Sequence, residues 1–219
     1  MLIADSENGK RKVFMNERLI KPAENNIEKA YTYRQMKGRY SKAMSEKFYF
    51  EAMMIDYAMI EDRLRSFIYH IGGMNNRTSS KLDNKTSKVF LIPLYNGFCN
   101  KKSAGVCLNN ISTKYNLIRA VLSWVETTEG AEGKYQQKLK FACESLDIDD
   151  VLNCMDELGK WCKYRNEVIH GLLNKNIISL NENLADKAEE GMKIATRIDS
   201  YVRVVRKGNI VRKSINLKL

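Results

Sequence analysis

Residues 48–71, FYFEAMMIDYAMIEDRLRSFIYHI, decide the fold of this chain. The stretch holds neither proline nor glycine. Its apolar residues, Phe48, Ile55 and Met59 together with Phe50, Met54, Tyr57, Leu64, Phe67, Ile68 and Ile71, recur at three- and four-residue steps. Such spacing makes a helix with a wide apolar face, and Gly72-Gly73 supplies a natural end to it. The spacing therefore predicts a central core helix.

The same period returns on either side. Ile111, Tyr115, Ile118, Val121, Leu122 and Val125 predict a helix over 111–126, Gly130 and Gly133 punctuate the chain, and a shorter helix is expected over 134–145. Asp147, Asp149 and Asp150 place negative charge where the next helix, 149–173, begins, as its dipole favours. Val151, Met155, Leu158, Cys162, Ile169 and Leu172 form its buried stripe, and Asn174 or Asn176 is its expected end. Leu184, Ala188, Met192, Ala195, Ile198 and Val202 predict a last amphipathic helix over 181–205. The prolines, Pro22 and Pro93, fall where breaks are expected. Residues 74–110 carry a polar stretch, a short apolar run from 89 to 94 broken by Pro93, and two glycines; they are expected to form an irregular insertion. The fold class is all-α: a basic and polar extension over 1–40, one helical domain over 41–207, and a basic tail over 208–219.

Composition narrows the function classes. The 219 residues are 44% hydrophobic, enough for a sizeable core. No run of about 18 apolar residues suggests a membrane span, and the polar, acidic start reads unlike a signal peptide, so a cytoplasmic protein is expected. Cys99, Cys107, Cys143, Cys154 and Cys162 are scattered without a CxxC pair, which argues against a zinc site or a disulfide framework. Cys154 and Cys162 read as small core residues. No Gly-rich phosphate loop, HExxH, GxSxG or EF-hand pattern occurs. Neither a metal nor a cofactor is expected. Thirty-seven Lys and Arg against 26 Asp and Glu leave a net charge of +11, concentrated at Arg34, Lys37, Arg39, Lys42 and Lys47 and again at Arg203, Arg206, Lys207, Arg212, Lys213 and Lys218. Such an excess favours polyanions, nucleic acid foremost; a solubilising surface is the plain alternative, and an anionic membrane surface a weaker one, since the tail lacks an aromatic and leucine face.

One stretch carries candidate chemistry: Arg165-Asn166-Glu167-Val168-Ile169-His170, with one of only two histidines in the chain. Arginine forks onto phosphate, and histidine moves protons at neutral pH. On an ideal helix Asn166 and His170 share a face, whereas Arg165 lies about 140° from His170 and falls within the buried stripe. One regular helix therefore does not aim both at one atom. A groove between helices, or between two copies of the chain, would. Lys163 and Tyr164, just ahead, are candidate substrate contacts, although packing is the favoured use of Trp161 and Tyr164.

The R-x4-H arrangement of Arg165 and His170, with Asn166 directly after the arginine, resembles the motif of HEPN domains. Residues 55–72, with Ile60-Glu61-Asp62-Arg63-Leu64, are similar to the helix packed beside that motif in several bacterial members, so the resemblance would span residues 40–207. It implies a HEPN-like helical bundle, a homodimer whose two motifs share a cleft, and a metal-independent endoribonuclease of phage defence or toxin–antitoxin biology. In that role His170 would assist proton transfer as a ribose 2′-OH attacks the neighbouring phosphate. Arg165 would stabilise the phosphorane, Asn166 would orient one of them, and Glu61 would approach Arg165 as a supporting partner. The resemblance admits an antitoxin or non-coding RNA as a further partner, but nothing in the chain identifies one. Gly171-Leu172 replaces the tyrosine expected two residues after the histidine in nucleotidyltransferase-paired toxins, so abortive-infection-type proteins are the closer comparison. The alternative is a catalytically inactive HEPN-like module that binds RNA or protein. Other residues have plainer expected uses: Glu61 and Asp62 in ion pairs with nearby arginines, His70 against the last carbonyls of a helix end, Gly191 in close packing.

Overall fold

The computed structural model describes residues 26–171 and 183–216. The expected helix end at Asn174 or Asn176, the break at Pro22 and the charge of Lys218 lie outside them. The chain divides into two compact units, Met1–Gly38 and Arg39–Leu219. In the first, residues 26–38 are helical, with Tyr31, Arg34 and Lys37 exposed; they begin helix α1 (Asn26–Ser45).

The second unit continues with α2 (Tyr49–His70), α3 (Lys85–Cys99), α4 (Ile111–Thr127), α5 (Lys134–Cys143), α6 (Ile148–Gly171), α7 (Leu184–Arg206) and α8 (Ile210–Ser214). Among the described residues the only β-type pairing is an isolated bridge between Lys81 and Cys107. The all-α expectation holds. The most extensive packing is α2 against α7, while α4 touches α2, α3 and α6, and α6 also lies on α7.

The stretch 48–71 forms the central helix. Ala52, Met53, Ile55, Met59, Ile60, Leu64, Phe67 and Ile68 of α2 are all buried. At its end the Gly73 N–H reaches back to the Ile68 carbonyl at 3.0 Å, and Gly72 takes φ +81°. A side chain there would also strike Ile215, since an added Cβ would lie 2.7 Å from its Cδ1.

Two expectations are corrected. Residues 74–110 are not wholly irregular, because they contain the 15-residue helix α3 with Pro93 inside it. Asn84 starts α3, its side chain accepting hydrogen bonds from the Thr86 and Ser87 amides at 3.0 Å each. Proline normally breaks a helix through its missing N–H. Here Pro93 stands on the exposed face, where water can serve the freed carbonyl. The polar stretch before α3 is pinned by Asp83, which accepts from the Asn75 amide and the Ser79 hydroxyl, both at 2.7 Å.

The second correction concerns the expected basic tail. Residues 210–214 form α8, packed on α5, and Arg212 is fully buried. Its guanidinium donates to the carbonyls of Tyr69 (3.0 Å), Met74 (2.9 Å) and Asn75 (3.2 Å) and lies 3.5 Å above the Tyr69 ring. The charge is used on carbonyls at and beyond the end of α2, where a cation is favoured.

Candidate active site

Helix α6 carries the motif, and its first turns are locked onto α7. Asp147 accepts from the Asp150 amide at 3.0 Å. Arg197 of α7 pairs with Asp150 and Glu157 of α6, each at 2.6 Å, and the Tyr201 hydroxyl donates to Asp150. Further along, Trp161 is fully buried and its indole N–H donates to the Lys187 carbonyl at 2.7 Å. Trp161 is thus a core residue that sets the rotation of α6. Cys154 and Cys162 are buried as expected, and burial pushes both thiols up to about 11.

Rotation of α6 puts Arg165 against α2. Its guanidinium carbon lies 3.9 Å from the centroid of the Tyr57 ring, and its Nη1 donates to the Asn166 Oδ1 at 3.0 Å. The Nε–H is buried without a hydrogen-bond partner. Lys163, Asn166 and His170 are exposed, whereas Tyr164 and Arg165 are half-buried. Arg165 and Asn166 are therefore brought together, while no hydrogen bond or ion pair joins His170 to a described residue. Tyr164 lies beneath the Lys187 ammonium, 5.6 Å from its ring centroid.

Glu61 makes the expected ion pair with a nearby arginine, Arg65, and does not approach Arg165. Its Oε1 accepts from Lys114 Nζ at 2.9 Å and lies 3.9 Å from Arg65 Nη2. Lys114 is wholly buried, and this burial holds its ammonium below the usual lysine range. Arg65 also donates to the Ser79 carbonyl at 2.8 Å, and Lys114 touches the Asn109 carbonyl at 3.5 Å. Glu61 thus organises cations that hold both ends of the 74–110 segment. Between it and Arg165 stands Tyr57, one turn earlier on α2. Burial raises the Tyr57 phenol pKa, the Glu61 charge adds to this, and Arg165 opposes it.

Tyr57 is the site residue that sequence reasoning missed. Its signal was indirect: an arginine in a buried stripe needs a partner, and an aromatic face is one such partner. The ion-pair expectation for Asp62 and the close-packing one for Gly191 are met. Arg63 pairs with Asp62 at 2.6 Å and with Asp199 at 2.9 Å. His70 is buried at the end of α2, edge-on to Tyr69. Gly191 permits a close approach, because a Cβ there would lie 2.7 Å from Trp161 Cζ2.

A hollow of about 510 Å³ lined by Glu157 of α6 and by α7 contains none of the motif residues. Among the described residues, no group of three or more His, Cys, Asp or Glu is placed to hold a metal ion. No described helix is long and apolar enough to cross a membrane. In comparisons with protein-family models, curated proteins and solved structures, nothing matches this chain.

Proposed function

We propose that this chain is a HEPN-type, metal-independent endoribonuclease that works as a homodimer, with a role in phage defence or as a toxin. The observation that carries the reading is the Arg165–Asn166 hydrogen bond on the Tyr57 ring, one turn before an exposed His170. Asn166 reaches from the histidine's face of α6 toward the buried face and ties the guanidinium to it. Two such faces set against each other would present two imidazoles and two guanidiniums to one RNA strand. His170 then moves the proton between the 2′-OH and the departing 5′-oxygen. Arg165 neutralises charge on the phosphorane, a contribution that preorganised donors make at low cost. The products are a 2′,3′-cyclic phosphate and a 5′-OH end. The net charge of +11 supports RNA as the ligand.

One observation favours a second reading. Arg165 is half-buried and stacked, as a structural arginine would be, and an inactive module that binds RNA through its basic surface would also carry it. Incubation of the parent and His170→Ala with total RNA in EDTA separates the two. Cleavage by the parent alone upholds the enzyme. Equal cleavage by both, or none by either, overturns it, and RNA retention without cleavage upholds the binding module.

A further inference from the structure

Arg165 is held from two directions by groups of different kinds. The Tyr57 ring, 3.9 Å from the guanidinium carbon, restricts how far the guanidinium can approach or tilt toward α2. The Asn166 amide oxygen engages Nη1 at 3.0 Å and limits its rotation. Nε is buried without a hydrogen-bond partner and Nη1 is engaged by Asn166, so the Nη2 end is what the guanidinium has left to offer a ligand. We infer that Tyr57 is a positioning residue for Arg165: it holds the guanidinium on α6 so that the Nη2 end is offered to a phosphate oxygen of RNA. This rests on the ribonuclease reading and extends it to a residue on another helix.

A free arginine side chain samples many rotamers, and freezing them at each encounter would lower the rate. A carboxylate in place of Tyr57 would neutralise the guanidinium and compete with phosphate for its donors. An aromatic face attracts the cation while leaving its N–H groups unconsumed. The ring is the active part, so phenylalanine should serve and an aliphatic residue should not. Glu61, one turn further along α2, has its charge engaged by Lys114 and Arg65 rather than by Arg165.

The test is a double-mutant cycle on the full chain, with a 5′-fluorescein-labelled RNA oligonucleotide of mixed sequence in EDTA. Tyr57→Phe should cleave within about threefold of the parent, while Tyr57→Leu should lower kcat about ten- to hundredfold with KM little changed. In an Arg165→Lys background the leucine substitution should change kcat by less than about twofold, because the group it positions is gone. Thermal melts establish that each variant is folded. If Tyr57→Leu does not fold, Tyr57→Met, unbranched and without a ring, takes its place in the cycle. An unchanged kcat in the aliphatic variant, or the same fold-loss in both backgrounds, overturns the positioning role while leaving the ribonuclease reading intact. A parent that cleaves no RNA overturns the ribonuclease reading, and with it the role assigned to Tyr57.

Discussion

Asp56 of α2 and Gly191 of α7 face each other so closely that a Cβ on the glycine would lie 2.8 Å from Asp56 Oδ2. Asp56 has no solvent exposure, and neither carboxyl oxygen has a hydrogen-bond partner. It packs near the fully buried Trp161 and influences Tyr40. Burial alone pushes its carboxyl from 3.8 up to about 8.

Between those two values the folded chain keeps a proton that the unfolded chain has released, so stability falls as pH rises from about 4 to about 8 and the loss levels off above. Asp56→Asn removes this titration. The variant should melt higher than the parent at pH 8 and close to it at pH 4. Parallel melting curves for the two proteins across that range would show that Asp56 is not the titrating group.

Gly191→Ala should destabilise the fold by about 2 kcal/mol, because the new methyl meets Trp161 and Asp56 at once and neither can retreat from a packed junction. An 8 M urea titration followed by circular dichroism reads the change. A midpoint equal to the parent's would mean that α7 can slide away from α2 at no cost.

Arg212→Met should cost about 3 kcal/mol, since three carbonyls lose their donor in a buried place. Deleting residues 208–219 should cost at least as much, by also uncovering α5. Guanidinium denaturation checks both. A fully stable truncated chain would return this segment to the status of a tail.

Glu61→Gln should lower stability by about 2 kcal/mol, because it leaves Lys114 charged and buried beside a neutral partner. RNA cleavage per folded molecule should be unchanged at a temperature well below the melt. A large fall in kcat with an unchanged melting temperature would show Glu61 acting on Arg165 after all.

Much of this was legible locally. The stripe of α6 follows from the turn of the helix: Val151, Met155, Leu158 and Cys162 are buried, Arg165 half-buried, and Asn166 and His170 exposed, while Val168 rather than the half-buried Ile169 closes it and Leu172 lies outside the described residues. The core helix at 48–71 and its glycine end are legible in the same way, except that Phe48, just before the first turn, is exposed. Pro93 is not legible locally, because its effect depends on which way the residue faces: inside a bundle the lost hydrogen bond would break the helix, whereas on the exposed side water makes it good. Arg212 departs from the tail its charge suggests because that charge answers carbonyls more than a hundred positions earlier in the chain.

The sequence by itself therefore determined the helices α2 and α4 to α7, most of their apolar faces, and that Arg165 and His170 do not share a face. Helical periodicity is a local property, repeated every few residues and written in the chain. Only the tertiary structure decided that Tyr57 lies under Arg165, that Glu61 serves Lys114, and that Asp56 meets Gly191. Those pairings depend on the rotation and axial offset of whole helices, set jointly by contacts such as Trp161 on Lys187 and Arg197 on Asp150, and spacing along one helix carries no record of them.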